Sequence, residues 1–184
     1  MFDQLNLSLF KLINGYAGRY TLVDKVAIVL AKYLPIGFIF TLALLWFVKK
    51  DYKHSILYAC YSALLGLLIN FTIAYFYFHP RPFMEGIGKL LVYHEPETSF
   101  PSDHTTFMCS IAFSFLYFKK TKKLGIILLI LGILGGIARI YCGLHWPFDV
   151  LGSIVIALFS SALIYLFKNK LSRLNALIIQ LVRI

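Results

Sequence analysis

Little in this chain invites a metal, redox or nucleotide reading. Only three cysteines stand among its 184 residues. Cys60 and Cys109 fall inside apolar runs and Cys142 near the edge of one, so no pair has the spacing of zinc ligands or of an obvious disulfide. His-Glu-x-x-His, Cys-x-x-Cys and a phosphate-cradling glycine loop are all missing, which removes zincin, thioredoxin-like and P-loop chemistry. No internal repeat or low-complexity segment occurs. The first apolar stretch lacks a basic leader and an Ala-x-Ala-like exit, so no cleavable signal is expected. Charge is sparse as well, at 14% of residues.

Apolar side chains take up the remainder: 60% of residues are hydrophobic and 17% aromatic, with a mean hydropathy of +0.79. That is too apolar for an ordinary soluble domain and indicates an integral membrane protein. Each crossing needs roughly 20 apolar residues, which leaves room for about five or six spans. Apolar segments run over about 23–48, 54–78, 103–118, 124–141 and 148–167. The third is short and opens on polar residues, so its first turn is expected to face a cavity at the membrane surface. Pro35 is expected to kink the first span without ending it. The expected fold class is therefore all-α, an integral membrane helical bundle forming one domain over residues 1–184.

Both ends read as amphipathic helices. Phe2, Leu5, Leu9, Leu12, Ile13 and Tyr16 recur at helical spacing, as do Leu171, Leu174, Leu177, Ile178 and Leu181. Such stripes fit helices lying in the interface or packing on the bundle.

The formal charge of +10 could suggest nucleic acid, but its distribution argues against that partner. Lys49, Lys50 and Lys53 follow the first span, Lys119, Lys120, Lys122 and Lys123 the third, and Lys168, Lys170 and Arg173 the fifth. Short loops rich in lysine and arginine stay in the cytoplasm, so these clusters mark one inner face. The 79–102 and 142–147 connections then face outward. A secondary effect is attraction to anionic membrane lipids. Gly132, Gly135 and Gly136 in the fourth span fit close helix packing.

The outward segments carry Arg81-Pro82, Pro101-Ser102-Asp103-His104, Arg139, His145 and Asp149. Ionisable groups beside membrane spans are costly and pair with one another or with a polar ligand. Two arginines, two histidines and an aspartate suggest a phosphate site. If a helix begins near residue 145, His145 and Asp149 stand at i and i+4 on one face, and Asp149 can hold the imidazole's tautomer. Ser102 is a plausible N-cap, Asp103 suits a first turn, and free N–H groups there can bind an anion. Arg81 and Arg139 offer planar forks for phosphate oxygens. Glu95 and Glu97 read as solvated loop residues.

Pro101-Ser102-Asp103-His104 and Arg139-x5-His145-x3-Asp149 resemble the second and third signatures of the type 2 phosphatidic acid phosphatase superfamily, and Arg81-Pro82 resembles the end of the first. Asp103, the Arg81-Pro82-Phe83 run and the span pattern are most similar to the bacitracin-resistance type of undecaprenyl-diphosphate phosphatase. The resemblance implies a metal-free, cofactor-free lipid phosphatase of a bacterial cell membrane, with its site on the outer side and a lipid diphosphate as substrate. By the same resemblance His145 attacks phosphorus, His104 protonates the leaving oxygen, and Arg81 and Arg139 clamp the phosphate. Two positions depart from the pattern. Ala74 stands where the first signature has a lysine, with Lys89, His79 and Asn70 as candidate substitutes, and Ala138 replaces the usual serine before the third-signature arginine. Another lipid phosphate as substrate, or a non-catalytic phosphate-binding protein, also fits these residues.

Overall fold

The structure is a computed structural model and describes residues 2–182, the side chain of Phe2 excepted. Seven helices follow one another: α1 (Phe2–Asn14), α2 (Thr21–Val48), α3 (Lys53–Phe76), α4 (Asp103–Leu116), α5 (Lys122–Tyr141), α6 (Pro147–Leu166) and α7 (Lys168–Leu181). No strand occurs among the described residues. Four of the helices, α2, α3, α5 and α6, are long and apolar enough to cross a bilayer. Helix α4, with 14 residues, rises only about 21 Å. It is the short third segment, and it occupies the centre of the bundle, packed against α3, α5 and α6.

Small residues let α4 sit that close to its neighbours, as they do where helices pack without a hydrophobic drive from lipid. Gly66 of α3 faces Thr106 and Ser110 of α4 and Ser160 of α6, so near that a Cβ would stand 2.8 Å from the Thr106 methyl. Ser110 and Ser160 hydroxyls bond across the interface at 3.2 Å. The three glycines of α5 do what their spacing suggests: Gly132 meets Cys109, Gly135 meets Met108, and Gly136 meets Val150 and Thr105. An apolar core built on Phe38, Leu42, Ile56, Met108, Ile111 and Phe115 joins α2, α3 and α4. Outside, large apolar side chains of α2, α3, α5 and α6 such as Leu22, Phe40, Phe71, Ile127 and Val155 remain exposed, as a lipid-facing surface requires. Helix α2 continues through Pro35 without interruption.

Chain direction puts the α2–α3, α4–α5 and α6–α7 connections at one end, where all three lysine clusters meet. Tyr52 Oη donates to the Lys120 carbonyl, Lys120 Nζ pairs with Asp51 at 2.8 Å, and Tyr58 Oη donates to the Lys168 carbonyl. The opposite end gathers the 77–102 loop, the 142–146 turn and α1. Asn14 stitches these together: its amide nitrogen donates to the Lys89 and Tyr141 carbonyls, and its oxygen accepts the Lys89 N–H. Gly143, at φ +79°, lets the loop press on the turn, since any Cβ there would collide with the Lys89 carbonyl.

The terminal helices dock by only part of their apolar stripes: Leu9 and Ile13 of α1 and Leu171 and Ile178 of α7 are half-buried. Helix α1 buries Phe10 and Asn14 against α5 and the start of α6, with the Phe10 ring 5.0 Å from Trp146, and Ala17 is buried in the turn that follows. Leu5, Leu12 and Tyr16 of the expected stripe stay exposed, Leu12 at 63%, and Phe2 lies outside the described side chains. Helix α7 is anchored on α3 by buried Asn175, whose amide oxygen accepts the Tyr61 hydroxyl, while Leu174, Leu177 and Leu181 point away. Each end helix therefore packs on the bundle and leaves a second apolar face open. A buried asparagine marks the docking side of each, joined in α1 by Phe10.

Candidate active site

At the end opposite the lysines lies a cavity of about 430 Å³. Arg81, Asp103, His104, Arg139 and His145 line it, together with Asn70 and Ala74 of α3 and His94, Glu97 and Thr98 of the loop. Three segments distant in sequence thus converge as expected.

His145 sits in the turn ahead of α6, 1% exposed, with its edge on the cavity. Its Nδ1 lies 2.8 Å from the Ser99 carbonyl. A carbonyl can only accept, so Nδ1 carries the hydrogen and Nε2 keeps its lone pair. Burial, reinforced by the charge of Arg139 and outweighing the nearby Asp149 carboxylate, pushes this imidazole down to about 3. At neutral pH the ring is therefore uncharged and nucleophilic at Nε2, which faces Arg81 Nη1 at 3.3 Å.

Asp149 stands in the first turn of α6 and near His145, but its carboxylate lies 3.7 Å from His145 Nδ1, beyond hydrogen-bond range. The tautomer is held by the Ser99 carbonyl, a correction to the expectation that Asp149 does so directly. Asp149 itself is fixed on both oxygens. Oδ2 accepts the Trp146 N–H at 2.8 Å and the Ser99 hydroxyl, and Oδ1 faces His79 Nδ1 at 3.2 Å. Its charge remains close enough to be felt by any cation formed on His145.

The arginines differ in how much of each fork is taken. Arg139, projecting from the end of α5, donates through Nη1 to the Ala31 carbonyl at 3.1 Å, and its buried Nε has no partner among the described residues. Such an orphan donor beside a cavity suits an anionic oxygen. Arg81 has four of its five N–H donors engaged, by the Leu144 carbonyl, by His145, and by Glu97 through both its carbonyl and its carboxylate at 3.0 Å. Glu97, whose side chain is 60% exposed, is therefore no bystander but occupies the arginine edge that a phosphate would use.

At the mouth of α4, His104 makes no hydrogen bond with the described residues and opens on the cavity. Ser102 precedes it as the N-cap residue, yet its hydroxyl accepts from Thr105 Oγ1 and its N–H goes to Ser153 Oγ at 2.7 Å. Only the N–H groups after Ser102 are left for an anion. Asp103 is held by Asn70 Nδ2 at 2.8 Å and not by an arginine. Lys89 is not brought to the cavity: Asn14 grips its backbone and its ammonium lies near Gly18, because the loop turns away there to meet α1. Of the candidate substitutes for the lysine absent at Ala74, Asn70 lines the cavity one turn deeper and His79 lies behind Asp149.

A family model described as the PAP2 superfamily matches residues 55–173, from α3 into α7. The chain belongs to the PAP2 superfamily. Over 178 residues it is 33% identical to undecaprenyl-diphosphatase BcrC of Bacillus subtilis, a match that covers 96% of this chain and 91% of that protein. The solved structure of LpxE from Aquifex aeolicus superposes with a TM-score of 0.74 at 28% identity, covering 88% of this chain and 94% of that one. The first transmembrane PAP2 type phosphatidylglycerolphosphate phosphatase from Bacillus subtilis shares the fold, with a TM-score of 0.68 at 22% identity over 92% and 87% of the two chains. The protein is accordingly a multi-pass membrane phosphatase of this superfamily.

No motif in the sequence marks Ser99 or His94 as neighbours of His145 and the cavity, or connects His79 with Asp149. Ser99 has one detectable signal, a position three residues before the Ser102 N-cap on a segment that must return to the site. His94 has none. Its Nδ1 donates to the Glu95 carbonyl at 3.0 Å, and burial lowers its pKa, leaving a neutral ring on the cavity wall.

Proposed function

We propose that the chain removes the terminal phosphate of undecaprenyl diphosphate at the outer membrane face, through a phosphohistidine at His145. The observation that carries this reading is the neutral His145 ring, its Nδ1 proton fixed by Ser99 and its Nε2 turned to a cavity with two arginines and a second histidine. In the first step Nε2 forms a bond to the terminal phosphorus while the bond to the bridging oxygen breaks. His104, once the negative charge of the bound diphosphate has drawn a proton onto it, donates that proton to the departing lipid monophosphate. Arg139 and Arg81, the latter released from Glu97 by the incoming phosphate, offset charge on the equatorial oxygens. Water then attacks phosphorus, with His104 as base, and inorganic phosphate leaves.

A lipid fits the surroundings. Beside Asp103 and His104 a cleft of about 210 Å³ passes Pro35, Ile39, Leu67 and Phe107. Leu67, Ile39 and Phe107 also line a larger, almost wholly apolar groove of about 480 Å³ with Leu42, Trp46 and Leu64, between α2 and α3. A tail lying there would hold its headgroup at the cavity. The polyprenyl substrate is preferred because the BcrC relative carries that activity in its name over nearly its whole length. Purified protein given undecaprenyl diphosphate, phosphatidylglycerophosphate, phosphatidic acid and a lipid A phosphate should release phosphate fastest from the first, with or without a chelator. Turnover of another lipid with none of undecaprenyl diphosphate would reject the substrate, and no release from any would favour a phosphate-binding protein.

A further inference from the structure

We propose that His79 is a positioning residue of this site, holding the Asp149 carboxylate from behind and adjusting, by its own charge, how well that carboxylate supports His145. This rests on the phosphohistidine reading above. His79 reaches Asp149 from the 77–81 segment, Nδ1 to Oδ1 at 3.2 Å, on the side of the carboxylate away from Ser99 and Trp146. Its ring lies near parallel to that of Tyr77, 6.1 Å between centroids, and 6.4 Å from that of Trp146, so it has aromatic neighbours that limit its movement. Unlike His145 it is partly open, at 29%. It opens into a separate cleft of about 220 Å³ lined by Asp3, Asn6 and Glu85, on the α1 side of the site and not on the substrate cavity. A proton can therefore come and go at His79 while lipid occupies His145.

The consequence follows from charge. Attack leaves His145 with a phosphoryl group on Nε2 and a hydrogen on Nδ1, hence a net positive ring, 3.7 Å from Asp149. A neutral His79 with its hydrogen on Nδ1 still donates to Oδ1 and leaves the full negative charge for that ring. A protonated His79 makes the same hydrogen bond but neutralises the carboxylate and adds a second cation nearby. The groups facing His79 are Asp149 from α6, Glu85 from the turn after Arg81, and Asp3 from α1. The bond to Asp149, opposed by burial and helped by those carboxylates, raises its pKa above 6.5. Activity should then rise with pH as His79 loses its proton above that value.

His79→Asn separates holding from charge, because its amide nitrogen can take the Nδ1 position without titrating. In wild type, kcat/KM for undecaprenyl diphosphate should fall roughly tenfold from pH 8 to pH 6. In His79→Asn that limb should vanish, so the variant overtakes wild type at the acid end. His79→Ala, lacking the donor and the charge, should lose about tenfold or more in kcat at pH 8, with KM little changed and no acid limb of its own. Orthovanadate, which bonds to a nucleophile as the transferring phosphorus does, supplies a readout independent of the lipid: the acid-side weakening of its affinity, read by calorimetry, should likewise disappear in His79→Asn. Size-exclusion profiles in detergent establish that each variant is folded. An unchanged acid limb in His79→Asn, in turnover or in vanadate binding, overturns the proposal, as does a His79→Ala variant as active as His79→Asn. Absence of turnover in wild type on every lipid would defeat the phosphatase reading instead and leave the vanadate comparison to decide the role of His79.

Discussion

Replacing Asp149 by asparagine keeps the shape of the side chain and removes its charge, which makes it a measure of what the carboxylate does for His145. The Ser99 carbonyl, not Asp149, holds the Nδ1 hydrogen, so the tautomer should survive the change. The loss should be electrostatic. At the 3.7 Å between Asp149 Oδ2 and His145 Nδ1, an effective dielectric near 20 gives an attraction of about 4 kcal/mol for a fully formed cation. The amide dipole recovers a part: its oxygen at the Oδ2 position keeps the Trp146 N–H and the Ser99 hydroxyl, and its NH2 at the Oδ1 position can donate to a neutral His79 whose hydrogen moves to Nε2. A net loss of about 2–4 kcal/mol corresponds to roughly 30- to 1,000-fold in kcat. Asp149 does not line the cavity, so KM should stay within about threefold. Steady-state phosphate release from the purified variant in detergent measures both. A kcat within tenfold of wild type, or a loss confined to KM, would refute the idea that the carboxylate acts by stabilising charge on His145.

Other consequences follow from the same contacts. Glu97→Gln removes the carboxylate that occupies the Arg81 fork; an ion pair with one exposed partner is worth about 1 kcal/mol at most, so KM should fall by up to about fivefold, and a rise would show that Glu97 assists binding. Gly136→Ala places a Cβ 2.7 Å from a Val150 methyl and should cost about 1–3 kcal/mol, seen as a lower thermal unfolding temperature in detergent, whereas Gly37→Ala, with nothing within 4 Å, should be neutral or slightly stabilising. His145, held near 3 in the fold, binds no proton between that value and about 6.5, where an unfolded imidazole does; its contribution to stability is therefore lost as pH falls through this window. His79 acts in the opposite sense, so the comparison needed is wild type against His145→Gln, and an identical pH dependence of unfolding in the two would contradict the assignment.

The five apolar segments were legible nearly to their ends, from 23–48 against Thr21–Val48 to 148–167 against Pro147–Leu166, because a span is encoded in one dominant property over a long window. The central place of α4 was foreshadowed by its short length and polar start. The convergence of Arg81, His104, Arg139 and His145 followed from alternating topology alone. What escaped was set by single contacts rather than by pattern. Asn14 and Asn175 mark the docking faces of α1 and α7, and polar anchors are invisible to hydrophobic periodicity. Glu97 looks like any acidic loop residue until the backbone lays it along Arg81. Ser99 serves the site twice, through its carbonyl and its hydroxyl, and a backbone acceptor leaves no trace in side-chain identity. Lys89 carries the charge that is absent at Ala74, but the anchoring of its backbone by Asn14 turns that charge elsewhere.

The central claim is a covalent bond between His145 and phosphorus, and the direct measurement is to stop the reaction with alkali, which spares phosphohistidine, within milliseconds of mixing with substrate labelled in its terminal phosphate. Label should be recovered on the peptide containing His145, formed and lost fast enough to account for turnover, and His145→Ala should carry none. Turnover with no label on the protein, or label on another residue, would contradict the account.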